Sequence, residues 1–162
     1  MSWSDRRLFV LSLLALGACG FAPAYGPGGG ATALRGQIAT AEPTDKLAYD
    51  LIGRLEERLG RAGNPRWRLD YAITTDRIGV GISAENAVTR YNVTGAVDWS
   101  LVTLADGTVA TRGQVESFTG YSTTGSTVAT LAAETDASTR LMQILGDQIA
   151  TRLIATAPGL TP

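Results

Sequence analysis

Apolar and polar positions alternate through the middle of the chain, which is the period of a strand with one buried face and one wet face. The alternation predicts a strand at residues 66–74 and another at residues 78–82, the second thinned by Gly79 and Gly81. A longer strand is predicted over residues 87–104. Its apolar face carries Tyr91, Val93, Val97, Trp99 and Leu101.

A turn signal and further apolar positions predict additional strands of this sheet. Asp106-Gly107 is the strongest hairpin signal in the chain, and it leads into a return strand over residues 109–117. Residues 33–40 are predicted to form a first strand with two apolar residues on one face. The stretch 121–127, rich in serine, threonine and glycine, is expected to be a loop.

Two other segments carry apolar residues at helical spacing. The first spans residues 44–60, with Thr44 as the expected N-cap and Gly60 as the stop. The second starts near residues 128–131 and runs to about residue 155. Its apolar stripe consists of Ala137, Leu141, Ile144, Leu145, Ile149 and Leu153.

One-sided strands and one-sided helices can bury their apolar faces only against each other. The pattern therefore predicts an α+β fold, a two-layer sandwich. In it, two helices pack on one face of a mostly antiparallel sheet of four to five strands.

The first residues of the chain have the organisation of a secretory signal peptide. Arg6 and Arg7 precede a short apolar run, which ends in small residues and then in Cys19, the single cysteine. The arrangement is similar to a bacterial lipoprotein signal, in which cleavage falls before the cysteine and the cysteine is acylated. A free or buried thiol behind an ordinary signal peptide is one alternative, and a short membrane anchor is another. The apolar run is far below the ~20 residues that a spanning helix needs.

Cleavage before Cys19 would divide the chain into four parts. Residues 1–18 are the predicted signal peptide, and residues 19–30 the lipidated N-terminus with a flexible glycine- and proline-rich tether. Residues 31–157 are predicted to form a single domain, followed by a disordered tail at 158–162. The mature chain of 144 residues is long enough for one domain with its own core.

Composition narrows the possible chemistry. Removal of Asp5, Arg6 and Arg7 changes the formal net charge from −1 to −2, so no basic surplus favours nucleic acid. The chain has no histidine, which removes Ser-His-Asp and Cys-His catalysis and, with one cysteine, nearly excludes a zinc site. Lys46, the only lysine, lies at the polar start of a predicted helix. No catalytic, cofactor-binding or metal-binding residue is predicted.

Several groups of residues resemble functional sites in type or spacing. Residues 79–84 fit a dinucleotide-binding glycine pattern, but a strand follows where a helix is needed, so a bulged strand is favoured. An aromatic set at strand spacing is interpreted as core, with a lipid- or partner-binding face as the alternative: Trp67, Tyr71, Tyr91 and Trp99. Charged sets on the last helix and on the strands are interpreted as structural or solvated: Asp136, Arg140, Asp147 and Arg152, and Arg66, Arg68, Arg90 and Arg112.

Three segments, taken in order, resemble one known family. The first follows the signal as Cys19-Gly20-Phe21-Ala22-Pro23-Ala24-Tyr25-Gly26, and the second opens the long strand as Arg90-Tyr91-Asn92-Val93-Thr94-Gly95. The third is the last helix, with Asp136-Ala137, Arg140-Leu141, Asp147-Gln148-Ile149 and Arg152-Leu153. Together they resemble the LPS-assembly lipoproteins of the LptE family in the form found in alphaproteobacteria. The resemblance covers essentially the whole chain.

This resemblance implies a protein without enzymatic activity, held at the periplasmic face of the outer membrane by a lipid on Cys19. It implies a partner, the β-barrel translocon LptD, which the protein plugs and helps to assemble. Direct binding of lipopolysaccharide stays open, and no ligand-binding residue is carried over. Two other functions compete: an auxiliary lipoprotein of an ABC-type periplasmic lipid transporter, and, least favoured, an envelope hydrolase.

Overall fold

Three long strands and two long helices make up most of the domain. The computed structural model describes residues 26, 29–83, 86–123 and 125–160. The elements in chain order are α1 (Gly30–Leu34), β1 (Ile38–Thr40), α2 (Lys46–Leu59), β2 (Trp67–Ile82), β3 (Val88–Thr103), β4 (Val109–Ser122), α3 (Thr127–Thr156) and a 3₁₀ turn (Ala157–Gly159).

The strands form one four-stranded sheet in the order β1-β2-β3-β4. β1 runs parallel to β2, and the other neighbours are antiparallel. The predicted α+β class, with helices on one face of a mostly antiparallel sheet, is confirmed. Asp106-Gly107 makes the predicted hairpin: Gly107 has a φ of +72°, which glycine adopts without strain, and its N–H donates to the Thr103 carbonyl at 2.9 Å.

The odd-numbered residues of the three long strands face the helices. α3 lies so close to the sheet that a Cβ on Gly95 would stand 2.9 Å from the Leu141 side chain. The Thr119 hydroxyl, buried on the same face, donates to the Ala137 carbonyl at 2.7 Å. The fully buried strand residues on this face are Leu69, Val97, Leu101 and Val115. The even-numbered residues therefore form a second sheet face, on which none of the described helices packs.

The two long helices begin with side-chain caps. α2 begins one residue later than predicted, because Asp45 rather than Thr44 is the N-cap; its carboxylate accepts from the Ala48 N–H at 2.8 Å. Ser126 caps α3 through the Ala129 N–H at 3.3 Å. Gly60 ends α2, as predicted.

The buried face of α3 is rotated from the predicted stripe. Ile144 is 38% exposed, whereas Met142 is fully buried. The reason is that α2 packs beside α3, so α3 buries one side against the sheet and another against a helix. The two helices approach closely at Gly146, where a Cβ would stand 3.1 Å from the Arg54 Cβ. The sequence pattern alone marks only the sheet-facing side.

The predicted strand at 33–40 is wrong in its first half. Residues 30–34 form α1, and only residues 38–40 pair with β2. Gly36, at a φ of +69°, turns the chain between the two elements. The burial expected of this segment is nevertheless present, since Leu34 and Ile38 both enter the core.

Three boundaries also differ from prediction. The segments predicted as two strands, 66–74 and 78–82, are one strand, β2, whose pairing is irregular at Gly79 and Gly81. The predicted loop at 121–127 is shorter, because β4 continues to Ser122. The proposed tail begins inside the 3₁₀ turn, and Leu160 packs against the core.

Candidate docking surfaces

The uncovered face of the sheet is largely polar. Its carboxylates and guanidinium groups are spread along the strands rather than gathered at one point. Arg68 and Asp70 form an ion pair at 2.7 Å, and the hydrogen bond from Arg68 lowers the pKa of Asp70. The charged side chains of this face are Arg68, Asp70, Asp76, Arg90, Asp98, Arg112 and Glu116.

Two shallow grooves run across this face. The first, of 660 Å³, lies near the start of β2, the end of β3 and the start of β4, and is lined by Asp70, Asp98 and Arg112 among others. The second, of 450 Å³, is lined by Asp76, Glu116, the exposed Phe118 and small residues. Both are open, as expected of a surface that meets another macromolecule rather than of a cavity that encloses a small ligand.

Exposed apolar side chains gather at one end of the sheet, which we call the tip. They lie on the last residues of β2, towards the end of β4 and at the start of α3. A strand of 16 residues spans roughly 50 Å, so the tip is far from α1, where the N-terminal segment enters the domain. The exposed residues are Ile78, Val80, Ile82, Phe118, Val128 and Leu131. Apolar residues exposed together are typical of contact surfaces.

The predicted aromatic set belongs to the helix-facing side. Trp67 and Trp99 are buried, and Tyr71 and Tyr91 pack against the core at its border. Tyr91 stacks on Tyr121 with ring centroids 5.7 Å apart. The core interpretation is therefore confirmed, and these four residues do not form an exposed aromatic face.

Arg77 covers this aromatic pair on the helix-facing side, near the tip. Its guanidinium lies 5.0 Å from the centre of the Tyr91 ring and bonds both the Tyr121 hydroxyl (3.4 Å) and Glu134 (3.3 Å). The Tyr121 hydroxyl is the main cause of the raised pKa of Arg77. The cluster ties β2, β3, β4 and α3 together where the apolar core thins out.

The charged residues predicted on the last helix do not converge. Asp136 and Arg140 pair with each other at 2.9 Å, one turn apart, as their spacing indicates. Asp147 instead faces α2 and accepts from Arg54 at 2.9 and 3.0 Å and from Arg58 at 2.9 Å. Arg152 turns to the edge of the sheet and donates to the Gln114 carbonyl. The described contacts of this set are made within the domain, as the structural interpretation predicts.

The strand arginines are equally dispersed. Arg66 lies over the Trp67 ring at 5.1 Å, and Arg68 is bound to Asp70. Arg90 and Arg112 stand at different levels of the open face. They form no common anion site within the described part of the chain. The glycine pattern at residues 79–84 begins on the irregular end of β2, which confirms a bulged strand as far as Ile82.

A comparison with protein-family models shows the family to which the chain belongs. The family described as LptE, lipopolysaccharide-assembly, matches residues 34–153, which include every strand and nearly all of both long helices. The chain belongs to the LptE family. No curated protein matched the chain in a sequence comparison.

Solved structures share the LptE-like fold. A candidate lipoprotein from Caulobacter crescentus is similar with a TM-score of 0.69 and 24% identity, over 83% of this chain and 99% of that one. Rare lipoprotein B from Shewanella oneidensis is similar with a TM-score of 0.58 and 15% identity, over 76% and 96%. A minor lipoprotein from Acinetobacter baumannii is similar with a TM-score of 0.53 and 15% identity, over 74% of this chain and 90% of that one. At these identities the likeness establishes the fold.

The predicted lipid attachment at Cys19 lies outside the described residues. Among the described ranges no group of histidine, cysteine, aspartate and glutamate side chains has a metal-binding arrangement. None of the helices in those ranges is long and apolar enough to cross a membrane. The surfaces that remain as candidates for function in this LptE-family protein are the open sheet face, the tip and the sheet edges.

Proposed function

We propose that this protein is a lipid-anchored subunit of the outer membrane that binds and plugs the LptD β-barrel for lipopolysaccharide assembly. The observation that carries the proposal is the LptE family match over residues 34–153. The proposed role is non-enzymatic, which accords with a chain that has no histidine. The lipoprotein character of the three structural neighbours supports an acylated Cys19.

The shape and polarity of the domain support a role inside a barrel. Large outer-membrane barrels have polar interiors. An elongated domain with a polar, shallowly grooved sheet face offers such an interior many hydrogen-bonding groups. The apolar side chains at the tip, far from the tether, would meet a less polar part of the partner.

Co-purification tests the partnership. With a tag after Pro162 and outer membranes solubilised in detergent, we expect a large β-barrel protein at near-equal stoichiometry. Recovery of the protein alone, or with an ABC-transporter component, would contradict the proposal and favour an auxiliary role in lipid transport.

A substitution on the open face tests whether that face is the contact. Ala96 lies in the second groove, and Ala96→Arg places a long cationic side chain there. We expect recovery of the barrel to fall at least tenfold, because the added side chain prevents close approach. Ala155→Arg, on an exposed position of α3, is the matched control and should leave recovery unchanged. Equal recovery with both variants would exclude the open face.

The anchor is tested separately. Cys19→Ala should leave the domain folded but release it into the periplasm, since stable anchoring needs the attached acyl chains. The measurement is fractionation of envelopes after a high-salt wash. A variant that stays with the membrane would show that lipidation is not what holds the protein there.

A further inference from the structure

The two edge strands of the sheet differ in how far their outer backbone groups are covered. An edge strand presents unpaired N–H and C=O groups that can pair with another strand, and most proteins block them. On β4 the block comes from α3: the carbonyls of Gln114, Glu116 and Gly120 accept hydrogen bonds from its side chains. The donors are Arg152, Gln148 (3.4 Å) and Arg140 (3.4 Å).

Among the residues that the structure describes, none covers the edge of β2 in this way beyond its first residues. β1 pairs only with residues 67–69 of β2, and residues 41–43 then leave the sheet. Pro43 has no N–H to donate and ends any continuation of β1 along this edge. From Thr74 to Val80 every residue of β2 is exposed.

The backbone groups on this edge can be assigned from the hydrogen bonds around them. The Trp67 N–H points to the β1 side, where it donates to the Gln37 carbonyl at 3.2 Å. Because successive residues alternate, Ile73, Thr75 and Arg77 turn their backbone groups to the same, outer side. The Arg77 N–H is held by its neighbour, the Asp76 carboxylate, at 2.7 Å rather than by β3. The irregular pairing at Gly79 marks where this regular edge ends.

The charge of Asp76 indicates what kind of strand could pair with this edge of β2. Asp76 projects on the open face and takes part in no ion pair in the described part of the chain. A second copy of this chain pairing through the same edge offers no cation opposite Asp76, because the only basic residue of β2 on the open face is Arg68. Arg68 lies in the stretch already paired with β1 and is bound to Asp70.

We propose that the outer edge of β2, residues 72–78, accepts an extended segment of another protein as a fifth strand. Main-chain hydrogen bonds to Ile73 and Thr75 supply the pairing. A lysine or arginine of the segment lies opposite Asp76, and an apolar side chain two positions away packs beside Ile78. This inference does not depend on the identity of the barrel proposed above.

Photo-crosslinking in cells tests the proposal with the full-length lipoprotein. A benzophenone amino acid replaces Ala72, an exposed edge position, and the adduct is mapped by mass spectrometry. We expect an adduct with an extended segment of another protein that carries a basic residue within a few positions of the cross-link. Absence of any adduct, or an adduct with a second copy of this chain, would overturn the proposal.

Variants separate strand addition from mere proximity. Thr75→Pro removes an outward N–H without touching the pairing with β3, and should lower the adduct yield at least tenfold. Gln114→Pro, the matched change on the edge blocked by α3, should leave the yield unchanged. Asp76→Lys, which does not constrain the backbone, should lower it several-fold even if the proline variant fails to fold. A yield that Asp76→Lys leaves unchanged would overturn the proposal, whether or not LptD co-purifies.

Discussion

Glycines show most directly how single residues shape this domain. A Cβ on Gly113 would stand 2.9 Å from the buried Trp99 ring, whereas a Cβ on Gly53, on the exposed side of α2, would meet nothing within 4 Å. Glycine therefore permits close packing at position 113, whereas at position 53 no packing contact requires it. Sequence alone does not distinguish them, because the distinction lies in what each glycine faces across the fold.

Alanine at these two glycines should have opposite effects. Gly113→Ala is expected to lower the free energy of unfolding by about 1–3 kcal/mol, because an indole ring cannot move aside in a packed core. Gly53→Ala should raise it by about 1 kcal/mol, because alanine is the better helix former. Urea unfolding measures both. A destabilising Gly53→Ala would show that the outer side of α2 is covered.

The ion pair between Arg68 and Asp70 should make a small, pH-dependent contribution to stability. Arg68 lowers the pKa of Asp70 in the folded protein, so the contribution is present above the ordinary carboxyl range near pH 4 and is lost as pH falls through the lowered pKa. Asp70→Asn should therefore lose less thermal stability than the wild type between pH 6 and pH 2. Identical losses in melting scans would contradict this.

Between elements, the contact of α2 with α3 combines a close approach and a polar clamp. Gly146 lets Arg54 lie across α3, and Arg54 and Arg58 then converge on Asp147. These charges are partly exposed, so solvent weakens them. Asp147→Ala should lower the free energy of unfolding by about 1 kcal/mol, against less than about 0.5 kcal/mol for Asp136→Ala, whose pair with Arg140 lies on the surface. Equal effects would mean that the clamp adds nothing beyond a surface pair.

Periodicity predicted the long elements because each has one apolar face. Periodicity gave the wrong element or the wrong buried face where tertiary packing determined the structure. Leu34 and Ile38 are both buried, which fits a strand over residues 33–40, but Leu34 ends a short helix. At Ile144, packing of α2 against α3 rotates the buried face. The division of β2 followed from treating Gly79 and Gly81 as a break, although antiparallel pairing runs through them with only a local irregularity.

At the scale of the whole molecule, the surfaces that matter were the least predictable. The open face follows from the alternation of polar residues, and the LptE resemblance agrees with the family match. The edges do not follow from sequence. Arg140, Gln148 and Arg152 read as one polar side of a helix, and only the crossing of α3 beside β4 turns them into a cover for one edge.

The position of α1 has a consequence for engineering. Gly30 packs directly against Ile154 and Ala157, so both ends of the domain lie side by side. A short linker could join them, and new ends could be opened in the connection between β2 and β3. Such a circular permutant would keep the contacts of the core, but the lipid proposed at Cys19 would then be attached at the tip. The tip, rather than the end that carries α1, would then lie next to the membrane.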